Sequence, residues 1–531
     1  MAPFRCLAPP PRATLPSRSK SGTMAAGNRV ARRPSAEHLG MARSVALAVD
    51  LGASGGRVVA GTFDGRLLEL EEIHRFENGP VPLGGRLVWD LPRLWQEVVE
   101  GLRRAGDRHG GAVTSVGVDT WGVDFGFLGA DDDLLANPVC YRDPRTRGVL
   151  AAAERVVPRS EIFDATGLQF MEINSLYQLI AMREARSSVL AAADRFLMIP
   201  DIFHWLLCGE RSNERTNATT TQCFDPRAGG WAFGLLDRFD LPRHLFAPVV
   251  EPGTSLGPLR GDVAADTRLS SARVILPGSH DTASAVAAVP AADPPSARPD
   301  WSYVSLGTWA LVGAELDRPL VTPECLARNF TNEGGVGGTT RLLKNVSGLW
   351  LVQQCRAAWQ RSGQGWTWDQ LTALAAEAPP LVTLVDPNDP SLVAPPDMPE
   401  AIRALARASG QPVPESTAAV VRTALESVAV AIRRTLGELD GLLGRRVSRV
   451  HVVGGGVQNR LLCQMIADAT GRTVIAGPVE ATAIGNLLVQ LLGRDGSVDL
   501  RQVRAIVRDS FEPARYEPRD AARWNDRLGR P

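Results

Sequence analysis

The sequence repeats one short pattern in its two halves, and this repeat limits the folds that the chain can adopt. The segments "VDLGASGGRVVAGTF" (49–63) and "WSYVSLGTWALVGAEL" (301–316) each combine an apolar run, a glycine turn with a hydroxyl residue, and a second apolar run. Small and β-branched residues in these runs favour strands. Two such hairpins predict two related halves that face each other, each giving a loop to one ligand.

The first turn also matches a pattern from a different class of protein. Residues 52–56 read G-x-S-x-G, the nucleophile elbow of serine hydrolases. That elbow needs a strand, a sharp turn and then a helix. Here a second apolar run follows, and Asp64-Gly65 precedes a third, which is the signal of a hairpin. We therefore expect Ser54 to lie between two strands and not to act as a nucleophile.

A glycine turn between two strands can hold phosphate groups. Glycines allow positive φ angles and let backbone N–H groups approach an anion closely. Ser54 adds a hydroxyl donor, and Arg57 adds a guanidinium that suits phosphate oxygens. Asp50, at the end of the strand, could hold a metal ion through water. These residues outline a triphosphate site, although a glycine-rich hairpin alone is more often a simple turn.

A third glycine cluster follows a strand in "VSRVHVVGGGVQNRLLCQMIADATG", and an amphipathic helix is predicted after it. The pattern resembles a dinucleotide fingerprint, but its last glycine position is Asn459. We interpret Gly454–Gly456 as a turn that faces a nucleoside and not as a nicotinamide site. No G-x-x-x-x-G-K-[ST] sequence occurs, which excludes a P-loop kinase.

The segment "VILPGSHDTASAV" (274–286) holds the candidate base. An apolar strand ends at a glycine, and Asp281 then precedes small helix-forming residues, which places it at the mouth of an α/β sheet. Phosphoryl transfer needs a group that accepts the hydroxyl proton, and Asp281 can do so. It could equally be the N-cap of the helix. The segment alone leaves both interpretations open.

Taken together, the motifs resemble the FGGY family of carbohydrate kinases, and within it the members that phosphorylate L-rhamnulose. The resemblance runs in order from about residue 45 to about residue 515. It rests on "VDLGASGGR", "GVDTWGVDFGFL", "VCYRDPRT", "MIPDIFHWLLCGE", "ERTNATTTQ", "SHDTASAV", "SLGTW", "NFTNEGG", "LLKNVSGLWLVQQ", "VVGGGVQN" and "AGPVEATAIGN".

The resemblance implies an α/β fold of two duplicated ribonuclease-H-like (actin-like ATPase) domains flanking a catalytic cleft. It implies a kinase that uses ATP and Mg²⁺ to phosphorylate the 1-hydroxyl of L-rhamnulose in L-rhamnose catabolism. An alternative within the family is a kinase for another ketose such as L-fuculose. An actin- or Hsp70-like ATPase without sugar chemistry shares the fold, but it gives no reason for "SHDTASAV" or "DTWGVDF".

The resemblance also assigns roles to individual positions. Asp281 becomes the catalytic base, and Asp50 remains a possible metal residue acting through water. The expected ATP contacts are Ala53, Ser54, Gly55, Gly56, Arg57, Thr308, Gln353 and Gly455. The expected sugar contacts are Gly122, His280, Asp281, Thr282 and Asn345.

Three positions depart from the family pattern. Gly55 stands where a second serine is usual, which puts one phosphate contact in doubt. Leu306 replaces a small residue beneath Thr308, and Cys208 replaces a common threonine. None of these changes removes a group that the chemistry needs.

The expected domains are a disordered N-terminal extension (1–43), an N-terminal sugar and phosphate domain (44–289), a C-terminal nucleotide domain (300–515) and a C-terminal tail (516–531). The proline-rich stretch between the two domains is typical of a linker. The first 40 residues hold six prolines and a single acid, without any helical or strand period. They are either a transit peptide or, as we favour, the product of an upstream start codon.

Composition narrows the partners and the compartment. Acidic and basic residues balance at 58 each, so charge offers no case for nucleic acid or a membrane surface as a partner. No apolar run is long enough to span a membrane. The seven cysteines are scattered without a C-x-x-C pair, which indicates thiols in a reducing cytoplasm and no zinc site. A sugar and ATP are therefore the expected partners.

Two further residues have open interpretations. Only two lysines occur among the 58 basic residues, and Lys344 is the one in the folded body. It is either a cation near the sugar or phosphate, or a solvent contact at a strand edge. Trp121 either packs against the sugar ring or belongs to the core.

Overall fold

Two sheets carry the two halves of the chain, and they repeat one strand pattern. A computed structural model describes residues 43–529, so the predicted N-terminal extension lies, apart from Arg43, outside the described residues. The strands of the first half are β1 (Ser44–Gly52), β2 (Gly55–Phe63), β3 (Leu68–Glu77), β4 (Val81–Leu83), β5 (Arg86–Val88), β6 (Val113–Thr120), β7 (Phe125–Leu128), β8 (Arg195–Met198), β9 (Asn213–Glu214), β10 (Phe224–Asp225), β11 (Gly230–Trp231), β12 (Val249–Val250), β13 (Ser255–Pro258) and β14 (Arg273–Ile275). Those of the second half are β15 (Trp301–Leu306), β16 (Trp309–Leu316), β17 (Thr331–Gly334), β18 (Thr340–Ser347), β19 (Arg449–Val453), β20 (Thr473–Ala476) and β21 (Ala514–Tyr516).

The first sheet has the order β13-β14-β6-β1-β2-β3, and the second has the order β17-β18-β16-β15-β19-β20-β21. In the first, β1 pairs antiparallel with β2 and parallel with β6. In the second, β15 pairs antiparallel with β16 and parallel with β19. The two central hairpins are thus equivalent, and the predicted α/β fold of two duplicated ribonuclease-H-like domains is confirmed.

Helices cover both sheets. Those of the first half are α1 (Leu91–His109), α2 (Val149–Val156), α3 (Arg159–Thr166), α4 (Ser175–Glu184), α5 (Ser188–Ala192), α6 (Ile199–Cys208), α7 (Arg215–Ala218), α8 (Phe233–Arg238), α9 (Gly261–Thr267) and α10 (Asp281–Ala287). Those of the second half are α11 (Pro323–Ala327), α12 (Trp350–Arg361), α13 (Trp368–Glu377), α14 (Met398–Ala408), α15 (Thr417–Leu443), α16 (Arg460–Thr470), α17 (Ala481–Leu492), α18 (Leu500–Ser510) and α19 (Ala521–Leu528). Among the described residues, no helix is long and apolar enough to cross a membrane.

Small residues join the two halves through α10 and α17. A Cβ on Gly485 of α17 would lie 1.8 Å from the carbonyl oxygen of Ser284 in α10, so only glycine fits there. Both helices contribute to one buried apolar cluster, which also includes Ala46 and Ala48 of β1. The alanine-rich sequence after Asp281 therefore serves close helix packing as well as helix formation.

Capping residues fix the ends of two helices. The long helix α15 begins after Ser416, whose side chain caps it, and ends before Gly444, which has a left-handed backbone. Asn459 accepts a hydrogen bond from the N–H of Leu462 and so caps α16. That cap explains why asparagine stands where a dinucleotide fingerprint has its last glycine. The segment expected to be a tail, 516–531, contains α19, whose Trp524 is buried.

Candidate active site

The two hairpin turns line one cleft of about 310 Å³. Its walls come from both halves, so the predicted pair of loops facing each other is present. Nine of the predicted site residues line it: Ala53, Ser54, Gly122, His280, Asp281, Thr282, Thr308, Asn345 and Gly455. Gly55, Gly56, Arg57, Gln353 and Asp50 are not among the lining residues.

The first turn consists of Ala53 and Ser54 between β1 and β2. This strand–turn–strand arrangement confirms that the hydrolase pattern lacks its structural context. The neighbouring glycines do not adopt positive φ angles; they allow close approach instead. A Cβ on Gly56 would lie 2.4 Å from the ring of Phe76. Ser54 itself is exposed and available to a ligand.

The second turn, Gly307 and Thr308, meets the third glycine cluster. The carbonyl oxygens of both turn residues accept backbone N–H groups from the start of α12, which fixes the turn. A Cβ on Gly456 would lie 2.3 Å from Leu306, whereas a Cβ on Gly455 would meet no atom within 4 Å. Gly456 is thus required for packing, and Gly455 presents open backbone to the cleft.

Arg57 is engaged by carboxylates from both halves. Its Nε and Nη2 donate to Asp50 Oδ2 at 2.9 and 2.7 Å, and its Nη1 donates to Glu480. Burial opposes the charged form of Arg57, but the two carboxylates outweigh burial and raise its pKa above the usual value. In this arrangement Arg57 orients Asp50 and links the halves. Its predicted phosphate contact stays a prediction.

Asp281 is the first residue of α10, and the cap position belongs to His280, which makes no side-chain cap bond. The N-cap alternative for Asp281 is therefore not what the structure shows. The carboxylate faces the cleft with 32% of its side chain exposed, and the hydroxyl of Thr282 donates to it at 3.0 Å. Burial by the surrounding cleft raises the pKa of Asp281, and Asp50 adds to this. A raised pKa increases the basicity of the carboxylate.

A buried glutamate holds the loop that carries Asp281. Glu214 accepts hydrogen bonds from the backbone and the hydroxyl of Ser279. The backbone N–H of His280 donates to Thr216 Oγ1 at 3.1 Å, and the N–H of Thr120 donates to Ser279 O at 2.9 Å. The backbone before α10 is thus fixed on three sides.

A second buried carboxylate organises the opposite wall. Asp124 Oδ2 accepts the indole N–H groups of Trp89 and Trp121 at 2.7 and 3.0 Å and the backbone N–H of Tyr141 at 3.1 Å. Burial raises the pKa of Asp124 to about 6. Trp121 is only 6% exposed yet lines the cleft, so it is a core residue at the cleft wall, and its contact with a sugar ring stays a prediction.

Strained backbone adjoins this wall. Val123 has a φ of 67°, which is unusual for a β-branched residue. Its N–H donates to Thr220 Oγ1 at 3.0 Å, and its carbonyl accepts the Ser175 hydroxyl at 2.6 Å. A Cβ on Gly122 would lie 2.9 Å from Thr220. These contacts force the "TWGVD" turn into one shape at the cleft surface.

Asn345 reaches the cleft with a partner from the first half. Its backbone N–H and side-chain amide both donate to Gln169 Oε1, at 3.0 and 3.1 Å. Gln353 lies on α12 and does not reach this cleft. Lys344 donates to Glu438 at 2.8 Å, and its strand β18 lies between β17 and β16. Lys344 does not line this cleft and is paired with a carboxylate, and β17 pairs with β18 only as far as Leu343.

Sequence reasoning missed several lining residues, namely Gln169, Asn174, Thr220, Ser305, Glu333 and Thr482. Thr220 and Thr482 belong to quoted motifs, "ERTNATTTQ" and "AGPVEATAIGN", where the polar run itself was a usable signal. Gln169 lies 176 positions from its partner Asn345, and no local pattern marks it.

The acidic residues beside the first turn fit a divalent cation. Asp50 and Asp119 lie opposite each other on β1 and β6. Asp119 Oδ1 is buried without a partner, and burial and Asp50 raise the pKa of this carboxyl well above its usual value. Within residues 43–529 no three acidic, histidine or cysteine side chains could hold a metal together. Mg²⁺ is commonly held by one or two carboxylates, water and substrate phosphates, so this donor set fits it.

Two protein-family models match the chain, one over each half. The model of the N-terminal domain of the FGGY family of carbohydrate kinases matches residues 45–288, and the model of its C-terminal domain matches residues 302–493. The chain belongs to the FGGY family of carbohydrate kinases. Membership of this kinase family implies the use of a sugar and ATP as substrates.

Curated relatives cover nearly the whole FGGY kinase region. A rhamnulokinase from Bacteroides thetaiotaomicron is 41% identical over 90% of this chain and 96% of that protein. A rhamnulokinase from Oceanobacillus iheyensis is 37% identical over 88% of this chain and 97% of that protein.

Solved structures of the family agree in fold. A gluconate kinase from Lactobacillus acidophilus superposes with a TM-score of 0.74 at 15% identity, covering 92% of this chain and 96% of that one. A Plasmodium falciparum glycerol kinase with ADP gives a TM-score of 0.70 at 13% identity, covering 91% and 96%. At this identity the likeness concerns the FGGY kinase fold alone.

Proposed function

We propose that this protein transfers the γ-phosphoryl group of ATP to the 1-hydroxyl of L-rhamnulose and so forms L-rhamnulose 1-phosphate in L-rhamnose catabolism. The observation that carries the proposal is the position of Asp281. It faces the one cleft that the Ser54 and Thr308 turns also line. The identity of the relatives named rhamnulokinase supports the choice of sugar.

On this proposal the nucleotide occupies the side of the cleft made by the two turns and Gly455. Ser54 and Thr308 donate hydroxyl groups to the phosphates, and the open backbone at Gly455 faces the nucleoside. Phosphoryl transfer depends mainly on positioning and charge neutralisation, which paired loops from two halves can provide.

The sugar lies on the other side of the cleft. Trp121 and Gly122 form one wall, and Asn345, held by Gln169, forms the other. Asp281 accepts the proton of the 1-hydroxyl as the oxygen attacks the γ-phosphorus. The bond from the γ-phosphorus to the bridging oxygen breaks, and its electrons leave with ADP. The raised pKa of Asp281 fits a general base better than an ordinary carboxylate would.

Asp50, oriented by Arg57, would hold Mg²⁺ through water beside the phosphates. A bound Mg²⁺ would supply charge neutralisation on the phosphate oxygens. Asp119 lies opposite Asp50 on the neighbouring strand, and its unpaired Oδ1 offers a further oxygen to the same corner. We also place the protein in the cytoplasm, because its described cysteines are free thiols.

The test is coupled ADP release with purified protein, ATP, Mg²⁺ and a panel of ketoses. We expect L-rhamnulose to give the highest kcat/KM and L-fuculose to be at least about tenfold poorer. A preference for L-fuculose would establish the alternative family activity. ADP release at the same rate without any sugar would indicate an ATPase and contradict the proposal.

A further inference from the structure

A buried arginine of the second half contacts the residue next to the proposed base. Arg341, on β18, is fully buried. Its Nη2 lies 3.0 Å from His280 Nδ1, and its Nε donates to the carbonyl oxygen of Gly334 at 2.9 Å. His280 belongs to the N-terminal family domain and Arg341 to the C-terminal one, so this contact crosses between the halves.

The chemistry of this contact determines where the imidazole proton lies. A guanidinium donates hydrogen bonds and accepts none, at any pH that a protein tolerates. Nδ1 of His280 must therefore present its lone pair to Arg341. A neutral imidazole then carries its proton on Nε2, which lies 3.5 Å from Asp281 Oδ1 at the cleft wall.

One competing group faces the same nitrogen. Glu333 Oε2 lies 3.4 Å from His280 Nδ1 and would favour a proton there. Arg341 Nη2 is closer to Nδ1, and it already neutralises Glu333 at 3.1 Å. Glu333 thus has its charge partner without a proton on Nδ1.

We propose that Arg341 is a positioning residue that fixes His280 as the Nε2–H tautomer. His280 then points one N–H at the place where Asp281 meets the sugar hydroxyl. That donor steadies the ionised carboxylate, which otherwise has only the Thr282 hydroxyl as a side-chain donor. The catalytic consequence rests on the proposed function, whereas the tautomer does not.

The tautomer can be measured directly in the full-length protein. Nitrogen-15 labelling of histidine gives ring signals for seven residues, and a His280→Gln variant assigns the signal of interest. We expect the wild type to show Nε2–H at His280. Arg341→Met leaves Glu333 buried without its partner, so a proton should move to Nδ1. Glu333→Gln keeps the donor from Arg341 and should leave Nε2–H in place.

A wild-type spectrum with Nδ1–H would overturn the proposal. The proposal would also be overturned if the His280 signal changed in Glu333→Gln and stayed the same in Arg341→Met. Glu333 would then be the residue that determines which ring nitrogen carries the proton. If Arg341→Met does not fold, Arg341→Lys answers the question. Its ammonium still donates to Nδ1, so Nε2–H must persist.

Kinetics separate positioning from general stability. We expect Arg341→Met to lower kcat for the sugar by about 10- to 100-fold while KM for ATP changes by less than about threefold. Arg341→Lys should recover part of kcat. The matched control is Arg472→Met, because Arg472 is also buried and pairs with an acid, Asp440, and neither residue lines the cleft.

Arg472→Met should lower the thermal midpoint yet keep both kcat and the His280 signal. If the two methionine variants lost kcat equally and their thermal midpoints fell equally, Arg341 would have only a structural role. If the protein phosphorylates a different sugar, the spectra still decide the tautomer, so failure of the proposed function is distinguishable from failure of this inference.

Discussion

The two hairpin regions share a topology but differ in charge. In the first sheet, Asp50 on β1 lies opposite Asp119 on β6. On the same face of the second sheet and before the same Leu-Gly turn, the equivalent pair is Ser305 on β15 opposite Val453 on β19. The helix that follows begins at Asp281 in the first half and at Ala481 in the second.

Three acidic positions of the first half are therefore uncharged in the second. Both halves keep a hydroxyl at the turn, Ser54 and Thr308, and a threonine one residue into the helix, Thr282 and Thr482. The duplicated scaffold explains why one loop from each half lines the cleft. On the proposed function, the acidic residues of the first half place the base and the metal in that half, whereas the three equivalent positions of the second half carry no charge.

The largest expected effect comes from removing the charge at the start of α10, so that α10 and α17 both begin with an uncharged residue. Asp281→Asn should lower kcat by about 10²- to 10⁴-fold, because an amide cannot accept the hydroxyl proton as a carboxylate does. KM for ATP should change little, since Thr308 and Gly455 remain. Coupled ADP release measures both constants, and thermal denaturation checks the fold. A loss below tenfold would remove Asp281 from the role of base.

Sequence alone predicted the scaffold because its signals are local. Both hairpins, the strand before Gly454, the helix of α15 and the helix start at Asp281 follow from runs, caps and turns within about twenty residues. Local patterns of this kind were enough to locate both halves of the cleft.

The contacts that tune the site depend on residues far apart in the chain. Arg57 and Glu480 are separated by 423 positions, and Arg341 and His280 by 61. No periodicity or spacing connects such pairs, so Arg57 was expected at phosphates and Arg341 was overlooked. The sequence does not single out Asp119 either, because only the structure shows that it lies beside Asp50 and that its Oδ1 has no hydrogen-bond partner.

The contrast in charge extends to Asp124, whose titration should make stability depend on pH. Its pKa is about 6 in the folded protein, against an ordinary 3.8. The folded state therefore binds the proton more tightly than the unfolded state does. The stabilisation is complete below about pH 4 and is lost as pH rises to about 6. About two pKa units correspond to about 3 kcal/mol in the free energy of unfolding.

Asp124→Asn removes this titration. Urea unfolding at pH 4.5 and at pH 6.5 should show a larger fall in the free energy of unfolding for the wild type than for the variant. We expect the difference between the two falls to be about 2 kcal/mol. Parallel behaviour of the two proteins would show that Asp124 titrates at its ordinary pKa, and the four hydrogen bonds to it would then dominate over burial.

The strand pair can be tested by comparing Asp50 with its counterpart. Asp50→Asn should raise the Mg²⁺ concentration for half-maximal rate by about 10- to 100-fold, because Arg57 would face an amide and the anionic corner would lose one charge. Ser305→Ala removes an uncharged hydroxyl at the equivalent position and should leave the Mg²⁺ dependence unchanged. Equal Mg²⁺ dependence in both variants would contradict the assignment of charge to the first half.

The smallest expected effect concerns the feature that both halves share. Thr308→Ala should raise KM for ATP by about three- to tenfold, because one hydrogen bond to a charged phosphate is worth about 1 to 1.5 kcal/mol in a solvent-accessible cleft. Thr308→Ser keeps the hydroxyl and should stay near wild type, and Ser54→Ala should match Thr308→Ala. KM for the sugar should stay unchanged in these three variants. If Ser54→Ala raised KM for the sugar and Thr308→Ala raised KM for ATP, the two turns would bind different ligands. The turns would then share a fold without sharing a role.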